Sequence, residues 1–512
     1  ELTKRSGPNG FQPRVYFGPQ ENNYAIVGAP KGKAPVELDY PDSGRSSGQV
    51  NSTYQGNGGV AVGSVLNRLL YSVKFRELNI LISGAINGDS RILYDRQPLA
   101  RVAKVAPFLT LDGSPYPVVV NNRILWVVDG YTSTDLYPYS QRLGMAAATA
   151  TSQTPGGSVA GAQPGQINYL RNSVKAVVDA YTGQVTLYHW GPADPVLEAW
   201  DNAFPGIIKP EKDIPATLRQ HLRYPSDLFE VQRQILAQYH VVNPQSFYGG
   251  QNFWAVPNDP TGETPDSSTQ PAYYLTMDMP GYHQPQFSLS SSFVPRGRAN
   301  AAAFVAVDSN PTQPGYGSIR VLQLPQDTTI PGPSQVQNFF ENYPPASKTL
   351  SLLRQGGSRV ILGNLIMLPV GDGLLYIEPV YVAASAVGST GSTPELKQVF
   401  AFFNGQPNPV GFSTNLSGAL AQVFSGLPGG GGGGPGGGGG QVSARVRALL
   451  AQAESHYEAA QAALAKQDFA TYGKELREMK QALDAAQQAA QPKGTPTPGA
   501  TPSPTPSATA GR

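Results

Sequence analysis

Val174-Lys175-Ala176-Val177-Val178-Asp179-Ala180, followed after Tyr181-Thr182-Gly183-Gln184 by Val185-Thr186-Leu187-Tyr188-His189-Trp190, decides the fold class. β-Branched and aromatic residues dominate both arms, and Tyr181-Thr182-Gly183 is turn chemistry, so the segment reads as a β-hairpin. Two further hairpins repeat the pattern. Val118 to Val120 and Ile124 to Val128 flank Asn121-Asn122, a pair that tolerates positive φ. Ile366 to Val370 and Leu374 to Val382 are joined by Gly371-Asp372-Gly373. Strand-like runs also occur at Val15 to Phe17, Tyr24 to Val27, Ala303 to Val307 and Ile319 to Leu324, and helical ones at Val65 to Phe75, Val196 to Ala203, Asp227 to Tyr239 and Val336 to Asn342. The expected class is α+β, mostly antiparallel sheet with several β-hairpins and intervening helices.

Composition breaks divide the chain. Residues 1–428 carry the strand pattern, interrupted at Met145 to Gly165 by an uncharged Ala/Thr/Gly/Pro/Ser-rich stretch expected to be a mobile surface insertion. Residues 429–440, eleven glycines around Pro435, form a flexible linker with a span of roughly 20 Å. In residues 441–491, apolar positions fall first at Val446, Leu450, Ala453, Tyr457, Ala460 and Leu464, then at Phe469, Tyr472, Leu476, Met479, Leu483 and Ala486. Two such seams predict a C-terminal α-helical hairpin; its simpler role is to pack its seams on each other or on the main domain, and its functional one is to dock a protein partner, resembling a single tetratricopeptide-type unit. Residues 492–512, rich in Thr, Pro and Ser, are expected to be a disordered tail.

Charged residues make up 14% of the 512-residue chain, against a typical ~25%, and the net charge is +2 with no basic run. Electrostatic capture of nucleic acid or of an anionic membrane therefore has nothing to work with. The absence of cysteine excludes disulfides and thiol chemistry. The longest apolar run, Val360 to Val370, is broken by Gly363, Asn364 and Pro369 and falls short of the ~18 residues that cross a bilayer. The chain as written is thus expected to be soluble and, opening on Glu1 without a signal segment, to be a truncated or processed product.

Three chemistries compete with simpler roles. His221 and His240 bracket the helix predicted from Asp227, but its ends lie about 18 Å apart and one ion cannot bridge them, so no metal site is expected and no cofactor is implied. In that helix Asp227-x-x-Glu230 resembles a capping box. Among the carboxylates Asp89, Asp95, Asp112, Asp129, Asp135, Asp179, Asp194 and Asp201, the repeated D-[GA]-Y-T pattern at Asp129 and Asp179 could present equivalent acids at matching strand ends for hydrolysis; the simpler role is capping turns. Arg91, Arg171 and Arg223 could bind an anionic ligand, with internal pairing such as Asp89 with Arg91 and Asp95 with Arg96 as the alternative. Serine-nucleophile and zinc-hydrolase signatures are absent.

Asp89-Ser90-Arg91-Ile92-Leu93, Ala106-Pro107-Phe108-Leu109, Asn168-Tyr169-Leu170-Arg171-Asn172-Ser173-Val174-Lys175 and His221-Leu222-Arg223-Tyr224-Pro225-Ser226-Asp227-Leu228-Phe229 occur in one order between Arg14 and about Phe424. Together they resemble the large extracytoplasmic domain of uncharacterised protein family 0182, bacterial proteins with several membrane spans. That resemblance implies a domain on the extracytoplasmic side of the bacterial plasma membrane, joined to its own or a partner's transmembrane segments, and it carries over no catalytic residue. The expectation is a non-enzymatic envelope interaction or scaffold module with a protein partner at residues 441–491. The alternatives are a cell-envelope hydrolase using Asp129 or Asp179, and a ligand-sensing domain coupled to the spans.

Overall fold

Two-residue turns set the strand pairing. Asn121 and Asn122 both adopt positive φ, 50° and 63°, so Val120 pairs directly with Arg123 and the strands Tyr116–Val120 and Arg123–Thr134 close as a hairpin. Gly371, at φ 55°, does the same for Ile366–Val370 and Gly373–Ala384. The structure is a computed structural model. It describes residues 11–424, apart from residues 31, 36, 150–164, 263–267, 281–283, 326, 355–357, 385–392 and 407–408, together with scattered residues between 452 and 481.

Three larger sheets follow one another along an α+β chain, after a three-stranded N-terminal sheet of Ala25–Val27, Arg91–Leu93 and Val60–Ala61. The first has the order Ile208–Lys209, Val185–His189, Tyr169–Asp179, Arg123–Thr134, Thr110–Leu111, with Tyr116–Val120 also on Arg123–Thr134. The second is built around Gln286–Pro295 and Ala303–Asp308, the third around Gly373–Ala384 and Glu395–Phe403. Among the described residues, the strands pair antiparallel except Val185–His189 with Ile208–Lys209, and Gln12 adds an isolated parallel bridge to Arg123. Helix Ser226–Tyr239 packs on strands of the first two sheets, and Phe229 enters one core with Tyr131, Leu289 and Phe293. Helix Pro333–Asn342 joins the second and third sheets through Val336 and Phe340, which meet Phe304, Tyr376 and Phe400. The chain divides into two compact units, residues 1–419 and 420–512. The expected helical hairpin falls mostly outside the described residues; those described there, such as Lys474 and Glu478, are helical and form an i,i+4 ion pair.

Three expectations require correction. Val15 to Phe17 is not a strand: it bends so that the amides of Tyr16 and Phe17 both donate to the Ala180 carbonyl, at 2.8 and 2.9 Å, and Phe17 is buried. The stretch from Met145 is not wholly a surface insertion, because Met145–Ala148 is a short helix with Met145 and Ala148 in the core; residues 150–164 lie outside the described residues. Asp227 is not an N-cap, since the helix begins at Ser226 after Pro225.

Phe17 also fixes the first hairpin turn. Gly183, at φ +73°, lies against its ring, and a Cβ there would come within 2.5 Å of it. Gly191 has a similar φ of +78° with open space around it. Gly191→Ala should therefore cost only the left-handed penalty, about 1 kcal/mol, whereas Gly183→Ala adds overpacking and should cost about 2–4 kcal/mol in urea denaturation.

A buried acid marks the third sheet. Glu378 is fully buried, neither carboxyl oxygen has a hydrogen-bond partner among the described residues, and Gln337 approaches it without closing a bond. Burial, partly offset by Gln337, raises its pKa from 4.5 to about 8. The folded state then keeps a proton that the unfolded chain releases near 4.5, so the proton's contribution to stability is complete below that value and is lost as pH rises to about 8. Chemical denaturation at pH 5 and pH 8 should show lower stability at pH 8, and Glu378→Gln should flatten that difference.

Candidate functional site

The strands Arg123–Thr134 and Tyr169–Asp179 place Asp129 directly opposite Lys175. The Lys175 ammonium is completely buried; it donates to Asp129 Oδ1 and, at 2.9 Å, to the Arg223 carbonyl, and lies 5.1 Å from the centre of the Trp190 ring. Burial raises the pKa of Asp129 against the opposing pull of Lys175, and burial lowers that of Lys175 against the pull of Asp129. A bulge in Tyr169–Asp179, with Ser173 left out of the pairing between Asn172 and Val174, brings Asn172 onto the same side as Lys175, where its amide donates to Asp129 Oδ1 at 3.2 Å.

A second pair of acids closes this layer. The Asp112 carboxylate accepts from the Tyr131 hydroxyl, from the Ser114 amide at 2.8 Å and from the Asp227 amide at 3.0 Å. Asp227 returns the exchange by accepting from the Gly113 amide at 2.9 Å. Asp112, distant in sequence, thus caps the helix that Asp227 and Glu230 were expected to cap. Above it, the Arg223 guanidinium is clamped between the rings of Tyr116 and Tyr274, at 3.9 and 4.3 Å. Burial lifts the hydroxyl pKa of Tyr116, Tyr131, Tyr274 and Tyr316 above the usual value, so these groups are neutral donors and acceptors at neutral pH.

On the other side of the same strands Asp194 is buried and accepts from Thr132, Ser173, Tyr169 and, at 3.0 Å, the Val196 amide, capping helix Pro195–Ala203. Burial alone would raise its pKa, but these four donors outweigh it and hold the carboxyl below the ordinary 3.8. Its share of stability is therefore present at neutral pH and fades as pH falls below that value.

The layer opens into a cleft of about 490 Å³. Its walls are Leu170, Arg171 and Asn172 of the bulged strand, Trp190, Tyr224 and Leu228 beside the helix, and Tyr316. At its margin Arg219 bonds Glu211 at 2.8 Å and lies 5.2 Å from the Trp190 ring centre. Arg171 has no carboxylate partner among the described residues; its guanidinium donates to the Ala193 carbonyl at 3.1 Å.

The residues singled out from sequence do not converge. Asp129 and Asp179 are not equivalent strand ends, because Asp129 lies inside its strand opposite Lys175, whereas Asp179 ends its own, pairing with Leu125. Asp179 accepts from the Tyr181 and Thr182 amides at 2.9 and 2.8 Å and pairs with Arg123. Arg91 does not pair with Asp89; it donates to the carbonyls of Asn57, Gly58 and Gly59 and fastens that loop. Asp95 pairs with Lys104 and Arg96 with Glu21, not with each other. Of Arg91, Arg171 and Arg223, only Arg171 lines the cleft. His240 stacks on Trp254 and bonds the Leu236 and Asn252 carbonyls, and no group of three metal-ligating side chains occurs among the described residues.

The family model described as an uncharacterised protein family, UPF0182, matches residues 3–353. The chain belongs to UPF0182. It is similar to the UPF0182 protein of Arthrobacter sp. (strain FB24), 44% identical over 506 residues that cover 93% of this chain and 49% of the relative. Similar relatives occur in Leifsonia xyli subsp. xyli (strain CTCB07), 47% identical over 429 residues covering 81% and 42%, and in Kineococcus radiotolerans, 44% identical over 517 residues covering 93% and 50%. The chain spans about half the length of the curated relatives it matches. No solved structure matches it. No helix among the described residues is long and apolar enough to cross a membrane.

In this UPF0182 chain the buried Asp129–Lys175 pair contacts Asn172 and Trp190 of the cleft wall, which gives a direct test. Lys175→Met strands a buried carboxylate and should cost about 3–5 kcal/mol, while Lys175→Met with Asp129→Leu should recover most of that loss. Guanidinium denaturation of the two variants and the parent measures both effects.

Proposed function

We propose that this chain is the extracytoplasmic part of a bacterial membrane protein and serves there as a binding module, with the cleft beside Trp190 receiving a ligand that presents an anionic group to Arg171. The observation that carries this reading is the contrast between the acids and the cleft. Asp112, Asp129, Asp179 and Asp194 are each engaged by the chain's own donors, which leaves them poorly placed for acid–base hydrolysis. The cleft instead offers open volume, aromatic walls and an arginine with no carboxylate partner among the described residues. Membership of UPF0182, and relatives about twice as long as this chain, support a domain attached to further segments. The helical hairpin expected at 441–491 is proposed as a second contact, for a protein partner.

Affinity capture from bacterial envelope extract, using the intact chain, a version ending at Leu427 and an Arg171→Glu variant, separates these roles. Ligand retained on truncation and lost at least about tenfold in Arg171→Glu supports the cleft, since a charge-assisted contact is worth about 1.5–3 kcal/mol. A partner lost on truncation supports the hairpin. Equal recovery by all three versions, or none by any, removes the reading.

A further inference from the structure

Helix Val65–Phe75 is mounted with its apolar side outward. Val65, Leu66, Leu69, Leu70 and Val73 fall within an arc of about 140° at 3.6 residues per turn, and all are between 46% and 74% exposed. The opposite arc carries Arg68, Tyr71, Ser72 and Phe75 against the domain: Arg68 donates to the Ile86 carbonyl at 2.5 Å, Ser72 is buried, and Phe75 packs with Tyr24. Leu78 and Ile82, in the turn and short helix that follow, add two more aliphatic side chains, 62% and 66% exposed. Burial of an amphipathic helix ordinarily runs the other way, and seven exposed aliphatic groups in eighteen residues mark a surface that something apolar covers.

We infer that this helix and the turn after it dock on the surface of a lipid bilayer, lying in the interface with Val65, Leu66, Leu69, Leu70 and Val73 among the acyl chains. Three features favour lipid over a protein partner. The patch is purely aliphatic, whereas protein hot spots concentrate Trp, Tyr and Arg, and Leu and Val are under-represented in them. The helix contains no acidic residue; of the two cations at its C-terminal end, Lys74 has its ammonium 3.8 Å from the centre of the Tyr94 ring, and Arg76 is exposed, as suits an interfacial helix beside headgroups. The nearest acid, Glu77, is turned to the backbone, accepting from the Asn79 amide at 3.2 Å. The chain's net charge of +2 gives no long-range pull, so the attachment is short-ranged and depends on apolar burial.

This site lies apart from the cleft, and either can fail without the other. The test is flotation of the intact chain with vesicles of phosphatidylcholine alone and of phosphatidylcholine with phosphatidylglycerol, compared with Leu66→Asn/Leu70→Asn. The parent should float with both compositions to a similar extent and with little loss in 0.5 M salt, and the double variant should partition at least about tenfold less. Because both positions are exposed, its melting temperature should match the parent's, which separates loss of docking from loss of folding. A parent that stays with the soluble fraction, or a variant that floats equally, overturns the proposal. So does concentration-dependent dimerisation in light scattering that the double variant abolishes while vesicle binding is absent, which would assign the surface to a second copy.

Discussion

A lysine with no solvent exposure, held between Asp129 and the Arg223 carbonyl, is the constraint on which the first half of the molecule depends. Desolvation makes either charge alone intolerable there, so the two strands that carry them can pair in only one register. That register then places Asn172 beside Asp129 and Trp190 over the ammonium, and the Arg223 carbonyl ties the segment before helix Ser226–Tyr239 to the same point. Sheet register, helix entry and the placing of Asn172 and Trp190 in the cleft wall meet at one ion pair and the backbone that satisfies it.

The local parts of this arrangement were legible in the sequence. The three hairpins were visible because their turn residues demand a backbone few others adopt, and Asn121-Asn122 and Gly371 do adopt it. Helix Val65–Phe75 was visible from apolar spacing, and Ser64 supplies the cap at its start. What was hidden depends on partners far apart in the chain. Lys175 looks like an ordinary polar residue in a Val-rich strand, and only the fold shows that its side is sealed. The Asp227 amide donates to Asp112 and the Gly113 amide to Asp227 across more than a hundred residues, so the local D-x-x-E pattern suggested a cap that a remote acid provides instead. The arginines of the family-like motifs read as one set but serve separate tasks: loop fastening at Arg91, cleft lining at Arg171 and ring clamping at Arg223.

Helix Val65–Phe75 illustrates a different limit. Periodicity identifies an apolar arc and a polar arc, but it is silent on which of them meets the domain. Here the carbonyls of Val62 and Ile86 accept from Arg68, and the rings of Tyr24 and Tyr94 receive Tyr71 and Phe75, which makes the more polar side the better fit inward. The orientation is a property of the receiving surface as much as of the helix.

The unpaired Ser173 gives the strand Tyr169–Asp179 two phases of alternation. Asn172 and Lys175, three residues apart, share a side; in an unbroken strand an odd separation would put them on opposite sides. Loss of that one residue would restore a regular ladder while inverting everything on one side of it, so that Arg171 and Asn172 would exchange places relative to Lys175. At this position a deletion acts as a frameshift in space: the backbone can mend, but the pattern of what faces the cleft is read out of step.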